Sequence, residues 1–216
     1  MDVFTTDVTH TMHNCRFCGI PDGITSFGVS DKPFCEDENF FAVASIGALV
    51  DGWSLIIPKK HVVSLREIYG TPEFKKFSAD VVGKIRLNYG NVVLFEHGPS
   101  REGSLTSCGT DHAHLHVVPL PFSLNKDLVE SGLNWQTIKS SDIAKTVHES
   151  EYLFFSDNPD DSDFHGSLHI LQEPVSQYFR KIIARRLGKL DVSDYRQFLH
   201  LSTSESTQSR LALTES

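Results

Sequence analysis

The apolar positions along this chain switch between two periods. Phe40-Phe41-Ala42-Val43-Ala44-Ser45-Ile46 is a short run rich in aromatic and aliphatic residues, which predicts a strand. A turn from Gly47 to Gly52 returns the chain as a second run, Trp53-Ser54-Leu55-Ile56-Ile57, closed by Pro58-Lys59-Lys60-His61. This hairpin puts His61 at a strand end, where residues from other strands can meet it. The period then lengthens, with Phe74, Phe77, Val81, Ile85 and Tyr89 recurring at helical spacing. Thr71-Pro72-Glu73 supplies a hydroxyl cap, a proline at the first helical position and an acid in the first turn, and Gly90 is placed to end the helix. Asn91-Val92-Val93-Leu94-Phe95 reads as the next strand and leads into Glu96-His97-Gly98.

Beyond Pro121 the pattern is looser. Trp135-Gln136-Thr137-Ile138 opens a segment, Glu151 to Phe155 reads as a strand, and Ser167 to Leu171 as its hairpin partner across an acidic turn from Asp157 to Asp163. After Pro174 an amphipathic helix is predicted, with Val175, Tyr178, Phe179, Ile182, Ile183 and Leu187 in one stripe and a stop at Gly188. Arg180, Lys181, Arg185 and Arg186 fall largely on its other faces, where cations are ordinarily solvated. Residues 1–13 and the Ser/Thr-rich tail after Thr203 are expected to be loosely ordered.

One stretch does not fit a purely structural reading. In Cys108-Gly109-Thr110-Asp111-His112-Ala113-His114-Leu115-His116-Val117-Val118-Pro119, three histidines stand two residues apart. On a strand, alternate side chains share a face, about 7 Å apart. His112, His114 and His116 are thus predicted to line one face while Ala113, Leu115 and Val117 enter a core, and that apolar face fixes the register. The loop before them, from Pro99 to Asp111, carries Gly103, Ser104, Thr106, Ser107, Gly109 and Thr110, whose backbone N–H groups and hydroxyls suit an anion.

Composition narrows the classes. A chain of 216 residues can bury a full core without disulfides or metal. A formal charge of −8 argues against a general nucleic-acid binder. No apolar run reaches the ~20 residues of a membrane span, and the first residues show neither a basic leader nor a signal segment. Four cysteines, two of them as Cys15-Arg16-Phe17-Cys18, suit a cytoplasmic metal site better than a disulfide framework. The CxxC fits half a zinc site, a redox pair or coincidence. The glycine, proline and aspartate that follow are unlike a redox strand-to-helix junction, so zinc is the reading taken, with two further ligands to come from elsewhere. Cys35 is an alternative ligand.

With these pieces placed, the chain resembles the histidine-triad (HIT) superfamily of nucleotide hydrolases and nucleotidyltransferases. Three motifs carry the resemblance over residues 14–121: Cys15-x-x-Cys18, the hairpin from Phe40 to Pro58-Lys59-Lys60-His61, and His112-Ala113-His114-Leu115-His116-Val117-Val118. It implies an α+β fold, an antiparallel sheet with a long helix, here with a C-terminal strand/helix extension. The domain reading is a flexible N-terminus at 1–13, a catalytic domain at 14–121, and an extension at 122–216 that covers or completes the substrate site. The resemblance implies His114 as nucleophile and His116 as the residue that hydrogen-bonds the phosphate and assists the leaving group. In zinc-containing members, including galactose-1-phosphate uridylyltransferases, the first histidine is a ligand beside CxxC, which implies a structural zinc on Cys15, Cys18, His61 and His112. Candidate substrate and phosphate contacts are Ser45, His97, Ser107, Gly109, Thr110, Gln177 and Arg180, with Trp135 as a further pocket contact.

An imidazole can attack phosphorus near neutrality without a separate base, since its ordinary pKa is about 6.5. A carbonyl or carboxylate on Nδ1–H of His114 would leave Nε2 free to attack. The implied activity is cleavage of a phosphoanhydride, phosphoester or phosphoramidate bond through a covalent intermediate on His114, with no obligatory organic cofactor. The implied protein is a cytoplasmic homodimer, paired through the long helix and its neighbouring strand, acting on a nucleotide or other phosphorylated small molecule. Two other classes are open: a metallohydrolase holding a catalytic ion on His112, His114 and His116, and a non-catalytic zinc-stabilised binding module. Ser45 stands where many members carry a ribose-binding acid, and Gly109 where a serine or threonine usually faces the phosphate; His116 itself stands where the uridylyltransferases have glutamine.

Overall fold

The computed structural model describes residues 15–159 and 163–213. The expectation about residues 1–13, and part of the acidic turn before Asp163, lie outside the described residues. Eight strands are present: β1 (Cys35–Glu36), β2 (Phe40–Ala44), β3 (Ser54–Pro58), β4 (Val92–Gly98), β5 (Leu115–Pro119), β6 (Gln136–Lys139), β7 (Tyr152–Asn158) and β8 (His165–Ile170). They form one sheet in the order β1-β2-β3-β5-β4-β7-β8-β6. Every neighbouring pair is antiparallel. The α+β class expected from the sequence is the one observed.

Helix α1 (Arg16–Gly19) follows the first described residue, and the long helix α2 (Pro72–Tyr89) joins β3 to β4. The signals for α2 act as read: Thr71 Oγ1 accepts from the Phe74 N–H at 3.3 Å, and Gly90 caps the far end with φ of 84°. Its stripe of Phe74, Phe77, Val81 and Ile85 is buried on one face of the sheet, against Ile56, Leu94 and Leu115. Short helices α3 (Asn125–Glu130) and α4 (Ile143–Val147) come next, then α5 (Tyr178–Arg186) and α6 (Leu201–Leu213). On the opposite face of the sheet, Phe179 and Ile183 of α5 pack with Trp53, Phe95, Val118 and Phe155. With both faces covered, β2 and β3 are buried at every position rather than at alternate ones.

Two expectations need correction. The tail after Thr203 is not frayed as far as Leu213: it belongs to α6, whose Ser204, Thr207, Gln208 and Leu211 are buried. Three of those four are polar, so hydrophobic periodicity could not reveal the stripe; Thr207 Oγ1 accepts the Gly52 N–H at 2.9 Å. The histidine strand is shorter than read, beginning at Leu115, so that of the three histidines only His116 lies in the ladder, opposite Leu55 and Phe95. The expected parity survives, with Ala113, Leu115 and Val117 in the helix-side core. The strand after the long helix has no free edge. β4 pairs with β5 on one side and with β7, through five residue pairs, on the other. Among the described residues no helix is long and apolar enough to cross a membrane.

Candidate functional site

Two neighbouring sites are built where α1, the end of β3 and the start of β5 converge. In the first, one ligand atom from each of Cys15, Cys18, His61 and His112 lies within 4.8 Å of the others. Among the described residues this is the one such cluster. Cys15 Sγ is 3.3 Å and Cys18 Sγ 3.5 Å from His112 Nδ1, and Cys18 Sγ is 3.2 Å from His61 Nδ1. A tetrahedral ion with Zn–S of ~2.3 Å and Zn–N of ~2.0 Å has edges of about 3.3–3.8 Å, so these separations fit. Both histidines present Nδ1 to the cluster and spend Nε2 elsewhere. His112 Nε2 meets the Pro58 carbonyl at 2.8 Å, and His61 Nε2 meets Glu102 Oε1 at 3.2 Å. Such outer contacts orient metal-ligating imidazoles and fix their tautomer. Burial, with Cys15 alongside, holds the Cys18 thiol up at about 12, and burial depresses His112 to about 4. The four residues could hold a metal ion. Cys35 lies elsewhere, on β1 against the helix-side core.

The second site holds the other two histidines, whose rings are 4.8 Å apart. Their environments assign opposite protonation patterns. His114 Nδ1 is 2.8 Å from the carbonyl oxygen of His112, which can only accept, so Nδ1 carries the proton and Nε2 a lone pair. This is the tautomer-fixing carbonyl looked for in the sequence. His116 Nδ1 accepts from the indole N–H of Trp53 at 3.0 Å, so its proton is on Nε2. The His116 ring also stacks on Phe95, 4.4 Å away and 20° from parallel. Burial pushes the pKa of His114 down and that of His116 well down, so both are neutral near pH 7.

Both rings open onto a cavity of about 100 Å³. Its floor is the sheet, with Trp53, Leu55, Phe95 and His97; Arg16 and Phe17 of α1, Ser45 and Ile46 after β2, and Gln177 and Arg180 at the start of α5 close it. Arg180 is the correction to the helix reading. It is only 6% exposed, not solvated, and its guanidinium lies 5.3 Å from the Trp53 ring and donates to the carbonyls of Ser193 and Gly47. Burial lowers its pKa to about 10, so it remains a cation at neutrality. Arg16, by contrast, is paired with Asp31 at 2.5 Å. His97 is half-buried, its Nε2 atom enclosed with no partner, and burial followed by the nearby His114 and Lys181 lowers it to about 3. Its neighbour Glu96 points to the other face, accepting from the Leu65 N–H and from the hydroxyls of Tyr69 and Tyr152.

Of the sequence-selected contacts, Ser45, His97, Ser107, Thr110, Gln177 and Arg180 line this cavity. Gly109 faces instead an adjoining recess with Cys15, His61 and Glu102. Trp135 lines neither; its ring packs 6.2 Å from Phe179 and its N–H donates to Ser131. The phosphate cradle expected of the loop is largely self-satisfied. The N–H groups of Ser107, Cys108 and Thr110 bond to carbonyls within the loop, and the Ser107 hydroxyl donates to Ser104 O at 2.7 Å. Positive charge comes from Arg180 and a ring N–H from His116, while the Gln177 amide is held by Asp194 Oδ1 at 3.3 Å. Sequence reading missed Arg16, Phe17, Ile46, Trp53, Leu55, Phe95, Cys108 and Tyr195 in the lining. Trp53 was legible in part, since it lies on the strand paired with the histidine strand. Tyr195 carried no signal.

The three-histidine metal reading does not match this arrangement. His112 uses both ring nitrogens away from His114 and His116, and Nδ1 of His116 is taken by Trp53.

No protein-family profile matches the chain. A protein of Mycoplasma pneumoniae described as an uncharacterized 16.1 kDa HIT-like protein is 32% identical over 112 residues, covering 50% of this chain and 72% of the relative. An uncharacterized HIT-like protein of Mycoplasma genitalium is 30% identical over 114 residues, covering 51% and 75%. Among solved structures, a HIT family hydrolase from Clostridium thermocellum shares 23% identity with a TM-score of 0.37, over 51% of this chain and 94% of that one.

Proposed function

The chain belongs to the histidine-triad (HIT) family, and we propose that it cleaves a phosphoanhydride, phosphoester or phosphoramidate bond by nucleophilic attack from His114. The observation that carries this reading is the opposed protonation of the two cavity imidazoles. The carbonyl of His112 leaves a lone pair on Nε2 of His114, and the indole of Trp53 leaves a proton on Nε2 of His116. A nucleophile and a hydrogen-bond donor then share one cavity, both neutral, beside a buried cation.

The chemistry follows from that pairing. Nε2 of His114 attacks phosphorus and forms a P–N bond while the bond to the leaving group breaks; its electron pair departs with the leaving atom, which takes a proton from solvent water, matched by the proton that the attacking water later returns to solvent. The positive charge on the resulting imidazolium is stabilised through Nδ1–H by the His112 carbonyl. His116 donates its Nε2–H to a phosphoryl or leaving-group oxygen but keeps the proton, because losing it would give an imidazolate. Arg180 and Gln177 offset charge on the phosphoryl oxygens. Water, or another acceptor, then attacks phosphorus; the P–N bond breaks, its electrons return to Nε2, and the proton of the water is released to solvent. Ser45 in place of an acid leaves the substrate open between a nucleotide and another phosphorylated small molecule.

Cys15, Cys18, His61 and His112 are proposed to hold zinc in a closed Cys₂His₂ set. Bound there, zinc supplies rigidity, since four protein ligands leave no open position. It would tie α1, which brings Phe17 within 5.6 Å of His114, to the segment entering β5. Residues 14–121 carry the catalytic histidines, and 122–216 complete the site through Gln177 and Arg180. The homodimer implied by the resemblance would have to pair elsewhere than along β4, whose edges are both occupied within the chain.

Replacing His114 by Ala should reduce hydrolysis of phosphoramidate and phosphodiester substrates by at least about a thousandfold with the fold intact. Full activity in that variant would refute the reading.

A further inference from the structure

The segment joining α5 to α6 runs from one rim of the cavity to the other. At one rim, the Gly47 N–H donates to the Leu199 carbonyl, and Arg180 ties Gly47 O to Ser193 O. The approach there is backbone on backbone: a Cβ on Gly47 would sit 2.5 Å from Tyr195 Cβ and 3.2 Å from its Cα. At the other rim, the Tyr195 hydroxyl donates to Cys108 O at 2.5 Å, and Arg196 lies over Gly109. Gln177, itself in the lining, reaches Asp194 Oδ1 at 3.3 Å. The Tyr195 ring thus spans the cleft and forms part of the cavity wall.

With this wall in place the cavity measures about 100 Å³, whereas pockets that enclose drug-sized ligands run to roughly 300–1,000 Å³. The space beside His114 and His116 suits a phosphoryl group with a small substituent. A base and ribose exceed that volume, and Tyr195 is a wall residue whose truncation would widen it. Ser45, which also lines the cavity and offers no charge for ribose hydroxyls, agrees with that limit.

We propose that Tyr195 is a specificity-determining residue that restricts this site to phosphoryl compounds with a compact substituent and turns away those carrying a nucleoside. The inference rests on the reading that the phosphoryl group binds between His114 and His116. The selecting side chain comes from the segment between α5 and α6, outside residues 14–121 that carry the histidine and cysteine motifs.

Equilibrium binding by calorimetry tests this without requiring turnover, using methyl phosphate and adenosine 5′-monophosphate as probes. The wild-type chain should bind methyl phosphate at least tenfold more tightly than the nucleotide. Tyr195→Ala should tighten nucleotide binding at least tenfold and leave methyl phosphate within twofold. Tyr195→Phe, which keeps the ring and loses only the bond to Cys108, should retain the wild-type preference. Wild-type preference for the nucleotide would overturn the proposal by itself, even if Tyr195→Ala does not fold. So would a Tyr195→Ala chain with unchanged nucleotide affinity, or with weakened binding of both probes, which would make Tyr195 a contact and not a limit. Failure of wild type to bind either probe would overturn the phosphate site along with the size limit, whereas loss of the His114 chemistry alone would leave this binding pattern in place.

Discussion

Trp53 decides what His116 can do. An imidazole is donor at one nitrogen and acceptor at the other, so the indole N–H on Nδ1 forces the proton onto the nitrogen facing the cavity. Trp53→Phe keeps the ring's bulk and removes that donor, at a cost of about 1 kcal/mol in preference for the productive tautomer. The expected result is a five- to tenfold lower kcat with KM little changed, and ¹⁵N shifts of His116 that report a mixture of tautomers. His97 gives a second residue-scale prediction. Its folded pKa of about 3 lies below the ordinary 6.5 of a histidine, so between those values the unfolded chain binds a proton that the folded chain does not. Stability therefore falls as pH drops below 6.5, by up to ~1.4 kcal/mol per pH unit for this group. Urea unfolding from pH 7.5 to 5 should show a slope that becomes shallower by about that amount in His97→Asn. An unchanged slope would mean that His97 is not the neutral, half-buried group described.

At the scale of elements, α1 is too short to hold its place by its own hydrogen bonds. It has four residues and no side-chain cap. What fixes it is the Arg16–Asp31 pair, the burial of Phe17, and the cluster of Cys15 and Cys18 with His61 and His112. Cys15→Ser should therefore abolish a stoichiometric zinc measured by plasma mass spectrometry. Activity should fall ten- to a hundredfold, because Phe17 is no longer held against His114, while far-ultraviolet circular dichroism changes little. Retained zinc would place the ion elsewhere. The elements that the sequence made legible were those whose burial is carried by apolar residues at a clear period: β2, β3, β4 and α2, with cap and stop residues marking α2's ends. The CxxC, His61 and the histidine run were legible because their side-chain chemistry is rare. Helix α6 was not, since Ser204, Thr207 and Gln208 make up most of its buried stripe. The Tyr195 segment was not, since it is held by backbone carbonyls and glycine contacts and none of residues 189–200 is buried. Arg180 was named as a contact, but its burial was not legible because it depends on carbonyls supplied by residues 47 and 193.

In the whole molecule, the C-terminal half is part of the same sheet as the histidines. β7 covers the edge of β4, a seven-residue strand with six buried positions, and α5 closes the cavity with Gln177 and Arg180. A chain ending at Pro121 would expose that edge and the apolar face beneath α5, and unpaired edges of this kind associate. Light scattering should find such a truncation aggregated or self-paired; a monodisperse monomer with the full chain's melting temperature would show that the halves are independent. The central claim, covalent catalysis by His114, is tested most directly by alkaline quench, digestion at alkaline pH and mass spectrometry of a His116→Ala variant incubated with phosphoramidates and phosphodiesters, methyl and adenosyl forms included. The account predicts an added phosphoryl-ester mass on the peptide containing His114, absent when His114 is replaced. Turnover with no such adduct, or an adduct on another residue, would contradict it.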